Sequence, residues 1–204
     1  MPDATPTHSR GRPRTITRER IADTGIKIGL SNISYISVAT ELGVSHMALY
    51  KRIPNLEELK LIVAEEVFSR WEAPEVKNNG SHNLKSYLIS FSTSLQHLVK
   101  SHQGLTPYLL RKSITTQPMI AKIHDHQRLI AHAYNISEEQ ARRLLATVAF
   151  HCIAGADTLY SVIKEKTITE TDFVLEESEI EEEFAQGMYA LIVGSLAILE
   201  DDNL

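Results

Sequence analysis

Cysteine, tryptophan and long apolar runs are scarce in this sequence of 204 residues. The single cysteine, Cys152, excludes an intramolecular disulfide framework and a zinc site built from several thiolates. The longest apolar run covers about residues 188–199, is interrupted by Gly194 and Ser195, and is too short to span a bilayer. The polar start of the chain is not followed by an apolar stretch, which predicts no signal peptide. We therefore expect a cytoplasmic protein without a membrane anchor.

Motifs that carry catalysis or hold a metal are also missing. The chain has no nucleophile elbow, phosphate-binding glycine loop, HExxH sequence or pair of thiols. Seven of its nine histidines lie beyond residue 80, which suggests metal sensing, but none forms the i, i+4 pair with which two imidazoles share a metal. These absences favour a protein that is not an enzyme and has neither a cofactor nor a metal site.

The charge of the chain is unevenly distributed. The first 52 residues carry eight basic and four acidic side chains, although the whole chain has a net charge of −5. The remaining 152 residues therefore carry a net charge of −9. This is the distribution expected of a basic module that binds a polyanion, attached to an acidic module that does not.

Three short helices are predicted in the first sixty residues from the residues that would cap them. Thr17, Ser34 and Ser45 each have a hydroxyl that can cap the N-terminus of a helix. Gly29 and Gly43 can take the positive φ with which the first and second helices would end.

The second and third of these helices have the spacing of a helix-turn-helix. Ala39 can lie where the helices touch, Gly43 four positions later can form the turn, and Leu49 six positions further can anchor the third helix. A turn of three residues makes the two helices cross steeply. The same residues would also suit a plain helical hairpin in the core of a bundle.

The segment from Thr17 to about Val63 resembles the DNA-binding head of the TetR/AcrR family of transcriptional regulators. The residues that carry the resemblance are Ile21-Ala22, Gly29, Val38-Ala39, Leu42-Gly43-Val44-Ser45, Met47-Ala48-Leu49-Tyr50 and Asn55…Glu58-Leu59. The resemblance implies an all-α fold, in which a three-helix head is joined by a long linking helix to a helical bundle that binds an effector and forms a dimer. We accordingly expect a basic arm over 1–16, a DNA-binding domain over 17–60 and an effector-binding and dimerisation domain over 61–204.

The start of the third helix is predicted to read DNA bases, because this part of a helix-turn-helix enters the major groove. We expect base contacts from Ser45, His46 and Met47; in the alternative, Met47 packs inward and His46 only lies on the surface. Contacts to phosphates, which set the register without reading sequence, are expected from Tyr35, Ser37, Tyr50, Lys51 and Arg52. Tyr35 and Ser37 would use a backbone N–H and a hydroxyl at the positive end of a helix.

The basic arm contains the sequence Arg10-Gly11-Arg12-Pro13-Arg14, which resembles the core of an AT-hook. The resemblance implies that Arg10, Arg12 and Arg14 lie in a narrow A·T minor groove, where the negative potential is concentrated. A solvated basic tail that adds only non-specific attraction fits the same residues.

The rest of the chain is predicted to be helical, over about 83–101, 107–114, 118–134, 137–164 and 177–200, with no segment that alternates like a strand. The last two helices have wide apolar faces. Such faces suit a homodimer interface of four helices, two from each chain, although both could also be buried within one chain.

An effector pocket is expected between the middle helices, with a lining of aromatic and apolar side chains and a few polar groups. The candidate lining residues are Tyr87, Phe91, Leu95, Tyr108, Leu109, Ile120, His124, Phe150, His151 and Tyr160.

The sequence as a whole favours a ligand-responsive transcriptional regulator. The resemblance implies a repressor that binds a palindromic double-stranded DNA operator as a homodimer and is released by a small-molecule effector. Two alternatives are a helical ligand carrier or enzyme with a vestigial head, and an architectural DNA binder that no ligand controls.

Overall fold

The computed structural model describes residues 16–76, 83–165 and 170–201. Within these ranges the chain forms nine α-helices, a 3-10 helix at Leu30–Asn32 and no strand, which confirms the predicted all-α class. The α-helices are α1 (Arg18–Ile28), α2 (Tyr35–Leu42), α3 (His46–Tyr50), α4 (Leu56–Arg70), α5 (Leu84–Ser101), α6 (Thr106–Leu110), α7 (Gln117–Tyr134), α8 (Glu138–Glu165) and α9 (Glu170–Asp201).

Side-chain caps fix where the first three helices begin, as the sequence predicts. The hydroxyls of Thr17, Ser34 and Ser45 each accept a hydrogen bond from the backbone N–H three residues on, at 3.2, 3.0 and 3.2 Å. Gly43 ends α2 with a φ of 69°, in the left-handed region that glycine enters without a steric penalty. Only a three-residue turn therefore separates α2 from α3, as a helix-turn-helix requires.

The head has a closed apolar core to which α1, α2, α3 and the first half of α4 contribute. Val38, Leu49 and Val63 have no exposed surface. Gly25 lets α1 approach α4 closely, because a Cβ atom at this position would lie 2.2 Å from Cγ2 of Val63. The linking helix α4 is thus part of the core of the head.

The body is a bundle in which α8 packs against α5, α7 and α9. Val148 and Cys152 of α8 are completely buried, and the Cys152 thiol donates a hydrogen bond to the backbone oxygen of Ser92 in α5 at 3.1 Å. Burial raises the pKa of this thiol to about 12, so it stays protonated and unreactive at neutral pH.

One segment of the described residues, Glu138–Ser161 in α8, is long and apolar enough to cross a membrane by length and composition. The core helix of a folded bundle meets the same criteria, and α8 occupies that position here.

Two helix boundaries differ from the sequence prediction. The helix predicted over 107–114 ends at Leu110, because Arg111 adopts an extended conformation and a turn follows. The last helix begins at Glu170 rather than near 177. Threonine, aspartate and valine within 171–174 have low helix propensity, which favours a loop in the sequence, but low propensity does not prevent a long helix from including them.

Candidate DNA-binding surface and ligand cavity

The start of α3 presents the predicted base-reading residues to solvent. Ser45, His46 and Met47 are all exposed, and Met47 keeps 57% of its surface. Met47 therefore does not pack inward, whereas Leu49, two residues later, is buried in the core of the head. This arrangement leaves the first turn of α3 open to a major groove while its other face holds the helix in place.

Tyr35 lies inside the head, where its side chain cannot reach a phosphate. Its hydroxyl donates a hydrogen bond of 2.7 Å to the backbone oxygen of Ile53, and its ring stacks on that of Tyr50 with centroids 3.8 Å apart. Because these contacts tie the start of α2 to the end of α3, Tyr35 positions the recognition helix. The expected contact from Tyr35 could come only from its backbone N–H.

Ser37 is also used within the head. Its hydroxyl accepts a hydrogen bond from the Ser34 backbone N–H at 2.9 Å, which completes a capping box at the start of α2. Lys51 and Arg52 are exposed just after α3, and Tyr50 keeps 46% of its surface. Arg10, Arg12 and Arg14 lie outside the described residues.

Ile36 is a feature of this surface to which the sequence analysis assigns no role. It is 73% exposed in the first turn of α2, beside the capped helix end. An apolar side chain so exposed there would lie against the DNA backbone if the helix end meets a phosphate. Its place one residue after Tyr35, roughly 100° further around the helix and outside the buried face, was the available signal.

The body contains a cavity of about 510 Å³, a volume suited to a drug-sized molecule. It is enclosed by the C-terminal end of α4 and by α5, α6, α7 and α8. The residues that line it are Phe68, Trp71, Ala73, Phe91, Leu95, Leu109, Leu110, Lys112, Thr115, Met119, Ile120, Lys122, Ile123, His124, His126, Gln127, Leu145, Ala146, Ala149, Phe150 and Ile153. Most of these side chains are apolar.

Six of the ten predicted lining residues do line this cavity: Phe91, Leu95, Leu109, Ile120, His124 and Phe150. The other four do not. Tyr108 donates a hydrogen bond to Glu57 Oε2 of α4 at 3.2 Å, and Tyr160 donates one to Glu181 Oε1 of α9 at 2.8 Å. His151 is exposed, with Nδ1 2.8 Å from the backbone oxygen of Thr147.

Tyr87 is the fourth predicted residue that does not line this cavity, and it lies behind the cavity wall. Its hydroxyl is 3.0 Å from Nε2 of His126, a residue that does line the cavity. Burial, together with the charge of Lys122, lowers the pKa of His126, so this imidazole is neutral at neutral pH. For Tyr87, Tyr108 and Tyr160, helical periodicity shows that the residue faces inward but not which neighbouring helix it faces, whereas His151 lies on the exposed side of α8.

The sequence analysis missed the contribution of α4 and Lys122 to the cavity. Phe68 and Trp71 stack with ring centroids 5.6 Å apart at the C-terminal end of α4. Lys122 of α7 donates hydrogen bonds to the backbone oxygens of Phe68 at 2.9 Å, Ser69 at 2.8 Å and Trp71. The one signal in the sequence was the aromatic pair at 68 and 71, which marks an apolar end of the linking helix.

Besides the C-terminal end of α4, the described residues in and before α6 make two contacts with the head. Leu109 and Leu110 of α6 line the cavity, while the preceding residue, Tyr108, bonds to Glu57 in the first turn of α4. In the loop before α6, Gly104 has a φ of 89°, and a Cβ there would lie 3.3 Å from the backbone nitrogen of Ser31. The segment that contributes Leu109 and Leu110 to the cavity therefore contacts the head through neighbouring residues.

Three large apolar side chains of α9 remain substantially exposed. Tyr189, Val193 and Ile198 keep 48%, 41% and 61% of their surfaces. A Cβ atom placed on Gly187 or Gly194 would meet nothing within 4 Å. Gly187, Gly194 and Ile198 fall on one side of α9, and small and apolar residues along one side of a long helix suit close packing against another helix.

No family model and no curated protein matches this chain in sequence. Solved structures do match its fold. A TetR variant from Acinetobacter baumannii AYE, in complex with minocycline, superposes with a TM-score of 0.64 at 17% identity, over 89% of this chain and 94% of that one. The TetR family protein ActR from Streptomyces coelicolor, in complex with actinorhodin, gives 0.63 at 20% identity, over 90% and 98%.

A possible TetR family transcriptional regulator from Streptomyces coelicolor A3(2) gives a TM-score of 0.66 at 15% identity, over 89% of this chain and 100% of that one. These matches extend over the head and the body together. The chain therefore has the fold of the TetR-family regulators.

Proposed function

We propose that this protein is a ligand-responsive DNA-binding transcriptional regulator, which binds a palindromic operator as a homodimer and is released by a small molecule. The observation that carries the proposal is the course of α4. Leu59 and Val63 of this helix are buried in the core of the head, and Phe68, further along the same helix, lines the cavity together with Trp71. One continuous helix thus belongs to both sites.

This geometry suggests how a ligand acts on DNA binding. A molecule in the cavity contacts the end of α4 and the α6 residues Leu109 and Leu110, so it favours conformations in which α4 and the head are tilted. Two recognition helices must lie roughly 34–36 Å apart to enter successive major grooves. A tilt that changes this separation lowers operator affinity, and repression is relieved.

The dimer is proposed to form through α8 and α9 of each chain. The exposed apolar residues of α9 support this, because Val193 and Ile198 would be covered by a second copy. We expect the protein to have twice the mass of the chain in light scattering, and Val193→Glu to reduce it to the mass of one chain.

The test of the proposed function is a selection of bound sequences from a random pool of double-stranded DNA by the full chain. The result expected is a two-fold-symmetric consensus, which then serves to screen for molecules that release the protein. Enrichment that no ligand relieves would favour the architectural binder. The absence of any enriched sequence would favour the carrier or enzyme with a vestigial head.

Two variants of the head sharpen this selection. His46→Ala is expected to change which base pairs are preferred, because His46 is placed to meet base edges. Lys51→Ala is expected to weaken binding to all sequences alike, since a phosphate contact reads no sequence. The opposite pattern would show that the recognition helix has been assigned wrongly.

A further inference from the structure

The lysines among the lining residues give the cavity a single sign of charge. Lys112 and Lys122 line it, and the lining set contains no aspartate or glutamate among the described residues. The acid whose charge acts on Lys122 is Glu72, which is exposed and is not part of the lining. A cationic ligand would therefore enter the cavity without a counter-charge.

Of the two lysines that line the cavity, Lys122 is half-buried and Lys112 is exposed. The Lys122 ammonium lies 5.4 Å from the centroid of the Phe68 ring and 5.8 Å from that of Trp71, and both rings line the cavity. Three bonds to the carbonyl oxygens of Phe68, Ser69 and Trp71 require three N–H donors, which only the protonated amine has. The protein thus keeps a positive charge beside an apolar, partly dehydrated space, where an ion pair is stronger than in water.

We propose that the cavity takes a ligand with an aromatic body and one acidic group, and that this acidic group binds Lys122. This inference rests on the proposed function, because it names the class of effector for the same cavity. The aromatic body fits the apolar lining of α5, α7 and α8. A carboxylate, sulfonate or ionised phenol supplies the negative charge that the lining side chains lack.

By binding Lys122, the effector would also act directly on the hydrogen bonds that hold the end of α4. All three N–H groups of Lys122 are bonded to the last turn of α4. The negative end of the helix dipole also stabilises a cation at this position. An acidic ligand competes for these donors and withdraws the ammonium from the carbonyl oxygens. An N–H group that bonds to the ligand cannot also bond to α4, so anion binding weakens the anchoring of α4. A neutral ligand of the same shape lacks this effect.

The test uses two probes that differ chiefly in charge, 1-anilinonaphthalene-8-sulfonate and the uncharged N-phenyl-1-naphthylamine. Trp71 is the one tryptophan of the chain and lines the cavity, so quenching of its fluorescence reports occupancy. The sulfonate is expected to bind the wild-type protein about tenfold or more tightly than the neutral probe. This ratio of affinities corresponds to the free energy of one hydrogen bond to a charged group.

Three variants assign this preference to a residue. Lys122→Met is expected to remove the preference, so that the sulfonate and the neutral probe bind this variant with similar affinity, and Lys122→Arg is expected to retain the preference. Lys112→Met, in the same cavity but without bonds to α4, is expected to reduce the preference by a smaller factor. Circular dichroism spectra and melting temperatures show whether each variant is folded.

Each outcome of the test has a distinct meaning. Equal binding of both probes to the wild-type protein overturns the inference but leaves the proposed function standing. A preference that Lys112→Met abolishes and Lys122→Met does not overturns the assignment to Lys122. Quenching by neither probe overturns the inference together with the ligand-binding half of the proposed function, while the DNA selection would still test the other half.

Discussion

The head and the body of this protein differ in how densely their interiors are packed. In the head, Gly25 and Val63 bring α1 and α4 into close contact, and Tyr35 and Tyr50 stack at 3.8 Å. In the body, five helices surround a cavity of about 510 Å³ instead of filling the same space with side chains. Dense packing fixes the geometry of a recognition helix, whereas an open interior allows a second molecule to change how helices pack. The difference indicates that the head is the rigid part and the body the adjustable one.

The largest effect is expected where the packing of the head is broken. Leu49→Ala removes a fully buried side chain from α3 and should lower the free energy of unfolding by about 2–5 kcal/mol. Met47→Ala, on the same helix, should change it by less than about 0.5 kcal/mol, because Met47 is exposed. Urea denaturation measures both. Similar losses in the two variants would contradict the assignment of the two faces of α3.

The next effect is expected at the junction of the two regions. Lys122→Met leaves three carbonyl oxygens at the end of α4 without their donor and should cost about 1–3 kcal/mol of stability. We also expect it to weaken operator binding without any ligand, because the end of α4 is released. Lys112→Met serves as control and should leave both the urea midpoint and operator affinity unchanged.

A smaller effect is expected from the second contact between the regions. Tyr108→Phe removes the hydrogen bond to Glu57 and should cost about 0.5–1.5 kcal/mol. The matched control is Tyr134→Phe, because the buried Tyr134 hydroxyl has no hydrogen-bond partner among the described residues. This control should be neutral or slightly stabilising in thermal denaturation. A cost equal to that of Tyr108→Phe would show that the bond to Glu57 contributes nothing of its own.

The smallest effect is expected from pH. Burial lowers the pKa values of His102 and His126 in the body, so the folded protein binds fewer protons than the unfolded chain in mildly acidic solution. The contribution of these histidines to the free energy of unfolding should therefore be fully present above the unfolded histidine pKa of about 6.5. It should be lost progressively as the pH drops below that value. Urea titrations from about pH 7 to about pH 5 measure this slope. His126→Gln should make it shallower, and an unchanged slope would contradict a neutral, buried His126.

The two regions also differ in how far their structure follows from the sequence. In the head, Ser34, Gly43 and Ser45 act through local backbone geometry, so their spacing alone predicts where helices begin and end. In the body, Leu95 and Tyr160 both fall on apolar helix faces, yet one lines the cavity and the other bonds to α9. Periodicity contains no information on which of several neighbours a face meets.

The role of Lys122 could not be predicted for a related reason. Its partners are backbone oxygens more than fifty positions away in sequence, and a backbone oxygen has no residue type by which a motif could be recognised. The anchoring of α4 by α7 depends on the tertiary arrangement alone. Tyr35 illustrates the same limit within the head, because its hydroxyl bonds to the backbone of Ile53.

The central claim is that the cavity and the recognition helices are coupled through α4. The most direct test measures the affinity of the full chain for its selected operator by fluorescence anisotropy, with and without saturating 1-anilinonaphthalene-8-sulfonate, while Trp71 quenching verifies occupancy. The account predicts that operator affinity falls about fivefold or more when the cavity is occupied, as for an ordinary allosteric coupling. An operator affinity that stays the same while the cavity is filled would contradict it.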